Sequence, residues 1–190
     1  MGLNLPNLLT WGRILLIPLL LIVYYLPDRW IPDHGQNVIG AGIFALAAVT
    51  DWLDGYLARS LKQTSAFGAF LDPVADKLMV ATALLLLVAL DNVAAFIAAI
   101  IIGREIAISA LREWMAKLGE SRSVAVSFIG KLKTTAQMIA ILLLLYNDPI
   151  GFFDTHLIGT WLIYIAAVLT LWSMVYYLRK AAPLVRGAMK

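Results

Sequence analysis

The sequence predicts an all-α integral membrane protein with six transmembrane helices, and three observations lead to that fold class. Of the 190 residues, 62% are hydrophobic and only 14% are charged, whereas soluble domains have about 45–50% and about 25%. The apolar residues form continuous stretches, each close to the roughly 17–25 residues that a helix needs to cross hydrocarbon. These stretches do not alternate with polar residues, as the strands of a membrane barrel would. We therefore expect lipid to surround most of the chain.

Each apolar stretch predicts one helix, and turn residues such as Asp91-Asn92 and Asn147-Asp148-Pro149 separate the stretches. The first helix is capped by Asn7 or Thr10 and is followed by Pro27. The third begins after Asp72 and Pro73, a pair typical of a helix start. In chain order the predicted helices cover 11–26, 38–58, 74–90, 93–115, 124–146 and 157–178. We expect a single domain over 1–190, with the first helix retained in the mature protein because no signal-peptide pattern precedes it.

The basic residues fall on one side of the predicted bundle. With six helices the loops alternate between sides, and both termini share one side. Of the 15 Lys and Arg residues, only Arg29 falls on or toward the opposite side. Basic residues concentrate in cytoplasmic loops, so we expect both termini in the cytoplasm. The net charge of +3 thus reflects membrane topology, and we expect no nucleic-acid partner.

The composition also excludes several kinds of site. The chain has no cysteine and two histidines, which excludes disulfides, thiolate metal sites, a cysteine nucleophile and a histidine-rich metal centre. Four aspartates are more informative, because a carboxylate in a membrane helix is costly without a partner. Asp51 and Asp54 lie three residues apart, and Asp72 and Asp76 lie four apart, so each pair shares a helix face.

A short loop joins the two predicted helices, so the two aspartate pairs can converge. Converging carboxylates without a matching basic cluster repel one another unless a cation lies between them. Ligand sets made only of oxygen favour Mg²⁺ or Mn²⁺, and four carboxylates suffice for two ions. The alternative is that single aspartates are helix caps, as Asp72 before Pro73 suggests.

These residues form a known pattern. The segments DWLDGYLAR at 51–59 and GAFLDPVAD at 68–76 resemble the signature D-x2-D-G-x2-A-R-x8-G-x3-D-x3-D of the CDP-alcohol phosphotransferase family. The resemblance implies six helices around a polar cavity open to the cytoplasm, usually in a homodimer. It implies that Asp51, Asp54 and Asp72 bind one metal ion, that Asp51, Asp72 and Asp76 bind a second, and that Asp76 is the general base. It implies that the CDP group contacts Asp51, Gly55, Ala58, Arg59 and Gly68, with Ser65 a further candidate.

The fourth and fifth predicted helices carry candidates for binding the acceptor. Arg104 and Arg112 share much of one helix face, and Lys131 and Lys133 open the fifth helix. Such a basic cluster indicates an anionic acceptor, such as a phosphorylated polyol. The alternatives are that the lysines contact lipid headgroups and that Glu105 forms a purely structural ion pair with an arginine.

Three segments, NLPNLLTWGRILLIP at 4–18, GREIAISALREWMA at 103–116 and SVAVSFIGKLKTTAQM at 123–138, resemble bacterial members of the family that use CDP-diacylglycerol as donor and glycerol-3-phosphate as acceptor. This resemblance implies transfer of a phosphatidyl group with release of CMP at the bacterial inner (cytoplasmic) membrane. We expect direct transfer without a covalent enzyme intermediate.

Two other functions remain open at this point. A family member could use another acceptor, such as phosphatidylglycerol, serine or inositol phosphate. A cation transporter could use the aspartate cluster as its ion site. Transporters place such acids near the middle of the membrane on broken or repeated helices. Here they lie toward the cytoplasmic end beside Arg59, and the sequence has no internal repeat.

Overall fold

The computed structural model describes residues 5–60, 66–117 and 128–188, and these ranges are almost entirely helical. Within them the chain forms no strand beyond an isolated bridge between Ile150 and Phe153. The helices are α1 (Leu5–Tyr25), α2 (Asp33–Ser60), α3 (Ala66–Ala89), α4 (Ala95–Lys117), α5 (Phe128–Tyr146) and α6 (Thr155–Ala188). The all-α class and the six predicted helices are confirmed.

The start of α3 differs from the prediction. Pro73 lies inside α3, which begins at Ala66, so Asp72 is not a helix cap and the predicted start at 74 is wrong. The apolar segment 66–71 is long enough to add more than one helical turn before the proline. Asp72 therefore presents its carboxylate from within a helix, where it needs a partner from another element.

Two turn predictions are confirmed by the backbone. Asp91 and Asn147 have φ angles of 57° and 49°, the left-handed conformation that commonly follows the end of a helix. They follow α3 and α5, at the breaks predicted from Asp91-Asn92 and Asn147-Asp148.

Glycines allow the closest helix contacts. A Cβ atom on Gly40 of α2 would lie 2.5 Å from the Tyr24 ring of α1. A Cβ atom on Gly159 of α6 would lie 2.8 Å from Leu144 of α5. Small residues at such positions are typical of helices packed in membranes. Because α1 packs against both α2 and α3, it can contact the aspartates of both.

The outer surface and the helix lengths indicate a membrane protein. Large apolar side chains such as Leu15, Leu85 and Val168 are at least 60% exposed along helices, and water would solvate them poorly. Within the described residues, three helical segments are long and apolar enough to cross a membrane: Leu8–Tyr25, Asp33–Leu53 and Thr155–Arg179. That α3, α4 and α5 also cross the membrane stays a prediction.

Candidate active site

Helix α1 brings together one aspartate from α2 and one from α3. Nη1 of Arg13 lies 2.8 Å from Oδ1 of Asp51, and the Thr10 hydroxyl donates a hydrogen bond to Oδ1 of Asp72. Thr10 and Arg13 are both fully buried and lie about one turn apart on the same face of α1. The carboxylates of Asp51 and Asp72 therefore meet at one place.

Asp76 extends this acidic cluster toward a cavity. It lies one turn after Asp72 on α3, and the charges of Asp51, Arg13, Glu105 and Lys77 all act on its carboxyl group. Three of the four predicted metal ligands are thus brought to one region of the protein. We call Asp51, Asp72 and Asp76, with the α1 residues that hold them, the aspartate cluster.

Several predicted site residues lie outside those whose surroundings the structure describes. These residues are Asp54, Gly55, Ala58, Arg59, Ser65 and Lys131, and their predicted roles stay predictions. Gly68, by contrast, is described, and it is buried near the start of α3.

The carboxylate oxygens of Asp51, Asp72 and Asp76 suit a hard divalent cation. Among the side chains that the structure describes, no group of three acidic or histidine residues is arranged to hold an ion. The side chain of Asp54, the fourth predicted ligand, lies outside this described set. Sequence reasoning did not identify Arg13 as a basic partner of Asp51. This pair provides part of the compensation that the sequence assigned to a metal ion alone.

A cavity of about 220 Å³ lies between α3, α4 and α5. Asp76 and Lys77 line it from α3, Glu105 from α4, and Thr134 and Gln137 from α5. Most of the remaining lining is apolar: Leu78, Val80, Ala81, Ile101, Ile102, Ile106 and Met138. The cavity thus joins the proposed general base to the helices that carry the predicted acceptor residues.

Glu105 holds two of the predicted acceptor residues together. Its Oε1 accepts a hydrogen bond of 2.5 Å from Nζ of Lys133 and one of 2.7 Å from Nη1 of Arg104. Arg104 also donates to Oγ of Ser173 on α6 at 3.1 Å. We call Arg104, Glu105 and Lys133 the Glu105 cluster, which joins α4 to α5 and, through Ser173, to α6.

Burial separates the alternatives for these residues. Arg104 is 7% exposed and Lys133 is 1% exposed, so contact of Lys133 with lipid headgroups is wrong. Arg112 lies two turns further along α4, with its guanidinium 5.4 Å from the centre of the Tyr177 ring. The Nε atom of Arg112 is buried without a hydrogen-bond partner among the described residues. Arg112 therefore lies beside the Glu105 cluster rather than within it.

Sequence reasoning left the role of Arg13 open, although a signal was available. Arg13 is the single charged residue in the first apolar stretch, and a buried arginine needs a counter-charge. The aspartates of α2 and α3 were the available acids near the same end of the bundle.

Comparisons with known proteins identify the family. A family model described as CDP-alcohol phosphatidyltransferase matches residues 3–172. The chain belongs to this family. Members of the family generally depend on a divalent metal. Three relatives carry the name CDP-diacylglycerol–glycerol-3-phosphate 3-phosphatidyltransferase.

The relative from Salmonella choleraesuis (strain SC-B67) is 52% identical over 183 residues, which cover 95% of this chain and 96% of the relative. The relative from Shigella flexneri serotype 5b is also 52% identical with the same coverage. The relative from Sodalis glossinidius is 55% identical over 185 residues, again with 95% and 96% coverage. The resemblance predicted from the sequence is confirmed over nearly the whole chain.

Proposed function

We propose that this protein transfers the phosphatidyl group of CDP-diacylglycerol to sn-glycerol-3-phosphate, giving phosphatidylglycerophosphate and CMP. The observation that carries this function is the identity of about 52% to relatives of that name over 95% of the chain. The protein is thus a transferase of phospholipid biosynthesis. The cavity lined by Asp76, Lys77 and Glu105 and the buried basic residues that pair with Glu105 suit a small anionic acceptor.

Asp76 is the proposed general base. An alcohol is a weak nucleophile until a base accepts its proton, and the Asp76 carboxylate lines the cavity in which the acceptor would lie. The proton of the primary hydroxyl passes to Asp76 as its oxygen bonds to the phosphorus that carries diacylglycerol. The bond from that phosphorus to the bridging oxygen breaks, and CMP leaves with the electron pair. No enzyme side chain becomes covalently linked to phosphorus.

The aspartates are the proposed metal ligands, with Asp51, Asp54 and Asp72 holding one Mg²⁺ or Mn²⁺ ion and Asp51, Asp72 and Asp76 a second. Such ions, when bound, neutralise the charge of the diphosphate as CMP leaves. Arg13 and Thr10 support the assignment because they hold Asp51 and Asp72 in place from α1. Metal ligands that are held by neighbouring side chains in this way keep their geometry between turnovers.

The remaining contacts divide between donor and acceptor. Asp51, Gly55, Ala58, Arg59, Ser65 and Gly68 are the proposed contacts of the CDP group. Arg104, Arg112, Lys131 and Lys133 are the proposed contacts of the acceptor phosphate. Lys133 has three donors, of which one is used on Glu105, and Nε of Arg104 has no partner among the described residues. Both residues therefore keep donors for a phosphate oxygen.

The proposed setting is the bacterial inner membrane. All six helices cross it, with both termini and the cavity opening on the cytoplasmic side, as the distribution of basic residues indicates. The chain forms one domain over 1–190 and pairs as a homodimer.

The activity is tested with purified protein in detergent micelles containing CDP-diacylglycerol, Mg²⁺ and glycerol-3-phosphate. We expect release of CMP and formation of phosphatidylglycerophosphate, both abolished by a chelator. Serine, inositol phosphate and phosphatidylglycerol are tested as competing acceptors. Equal CMP release with any of them, or no release with glycerol-3-phosphate, would contradict the proposed function.

A further inference from the structure

We propose that Gln137 binds the middle hydroxyl of the acceptor, the hydroxyl that does not attack, and so selects a phosphorylated diol over a phosphorylated alcohol lacking that group. This inference rests on the proposed function and deepens it. It assigns a specificity-determining residue that the family signature does not contain.

Gln137 lines the cavity with a buried polar side chain. Its side chain is 3% exposed, and its Oε1 has no hydrogen-bond partner among the residues that the structure describes. The other lining residues of α5 are Thr134 and Met138. Buried amide oxygens in native proteins are nearly always paired, so one left without a donor at a cavity wall is a candidate for pairing with a ligand.

Gln137 is distinct from the residues proposed to bind the two ends of the acceptor. It lies one turn after Lys133 on α5, on the same helix face. In the proposed function Lys133 and Arg104, which contact Glu105 of the cavity wall, bind the phosphate, and Asp76 accepts the proton of the attacking hydroxyl. Gln137 lines the same cavity as Asp76. It therefore offers a ligand in this cavity a polar contact in addition to the general base and the phosphate-binding residues.

Glycerol-3-phosphate has three polar points of its own: the phosphate, the primary hydroxyl and the hydroxyl between them. The Gln137 amide can accept a hydrogen bond from this middle hydroxyl through its oxygen and donate one through its nitrogen. Around it the cavity is lined by apolar side chains such as Val80, Ile101 and Met138. An acceptor with hydrogen in place of that hydroxyl would leave the amide unpaired in the bound state.

Sites that hydrogen-bond a substrate hydroxyl discriminate strongly against analogues that lack it. We expect a kcat/KM for glycerol-3-phosphate about 10- to 100-fold above that for 3-hydroxypropyl phosphate, which lacks only the middle hydroxyl.

The test measures CMP release with these two acceptors for the full-length protein and for two apolar variants, Gln137→Leu and Gln137→Met. Both variants should lose much more activity with glycerol-3-phosphate than with 3-hydroxypropyl phosphate, so that the ratio of kcat/KM values falls to within about threefold. Using two variants of different shape guards against one that fails to fold, and elution as a single species on size exclusion checks folding.

Two further variants sharpen the result. Gln137→Glu keeps an acceptor oxygen and should retain most of the discrimination, even if its overall rate falls. Ile139→Leu changes a side chain of α5 that is 45% exposed on the outer surface, and it should leave the ratio unchanged.

Three outcomes overturn the inference: a wild-type protein that uses both acceptors equally well, apolar variants that keep the wild-type ratio, or variants that lose both activities in proportion. The last would indicate a purely structural role for Gln137. A wild-type protein with no activity on glycerol-3-phosphate would instead contradict the proposed function itself, so the two failures are distinguishable.

Discussion

The aspartate cluster and the Glu105 cluster are built from the same interaction but carry opposite charge surpluses. In the first, Arg13 pairs with Asp51 while Asp72 and Asp76 add further carboxylates. In the second, one carboxylate, Glu105, accepts hydrogen bonds from both Arg104 and Lys133. The first cluster thus has an excess of acids and the second an excess of bases.

The difference indicates how a small site can bind cations and an anion side by side. Surplus carboxylates attract divalent cations, and surplus basic groups attract a phosphate. In each cluster the minority charge reduces the repulsion among the like charges before ligands bind. The cavity beside Asp76 and Glu105 lies where the two surpluses meet.

The largest expected effect on activity comes from a substitution in the aspartate cluster. Asp76→Asn keeps the shape of the side chain but removes the proton acceptor, so CMP release should fall by about 10²- to 10⁴-fold. Steady-state kinetics with glycerol-3-phosphate checks this, with size exclusion to show that the variant folds. A variant that keeps near-normal rates would show that Asp76 is not the base.

A smaller effect is expected at Arg13, which acts on the site through Asp51. Arg13→Ala should lower kcat by about 10- to 100-fold because Asp51 loses the group that orients it. Arg13→Lys keeps the charge and should recover part of the activity, although a lysine cannot reproduce the guanidinium geometry. The measurement is kcat over a range of Mg²⁺ concentrations.

The role of Arg13 is rejected by either of two results. Unchanged kcat in Arg13→Ala would show that Asp51 needs no orientation from α1. Equal losses of kcat in Arg13→Ala and Arg13→Lys, with both proteins folded, would show that the positive charge of Arg13 does not contribute to activity.

The Glu105 cluster is tested through its contribution to the stability of the folded protein. Glu105→Ala leaves the buried Arg104 and Lys133 without their shared counter-charge, which should cost about 3 kcal/mol of the free energy of unfolding. Glu105→Gln keeps an acceptor oxygen and should cost less. Thermal unfolding in detergent, followed by loss of the monodisperse species, compares the two variants.

Glu113 supplies the matched control on the same helix. It pairs with Lys117 at 2.9 Å, but both side chains are 71% exposed, and exposed pairs of this kind add little stability. Glu113→Ala should leave the unfolding temperature unchanged. If it lowers that temperature as much as Glu105→Ala does, burial is not what makes the Glu105 cluster strong.

Much of this molecule follows from local sequence. Long apolar stretches predict helices, because a backbone in lipid must satisfy its own hydrogen bonds. The positions of Asp91 and Asn147 predict where two helices end, since such residues tolerate the left-handed conformation. The family signature rests on spacing within α2 and α3, which the chain alone specifies.

The packing of the helices decided the rest. Because α3 begins before Pro73, Asp72 is not a helix cap but lies within the helix and faces α1. The partners of Asp51 and Glu105 are Arg13 and Lys133, far along the chain on other helices. Spacing along one helix determines which residues share a face, but only the contact between helices determines which faces meet. The sequence therefore determined the helices and the charged residues, while the tertiary structure decided how those charges pair.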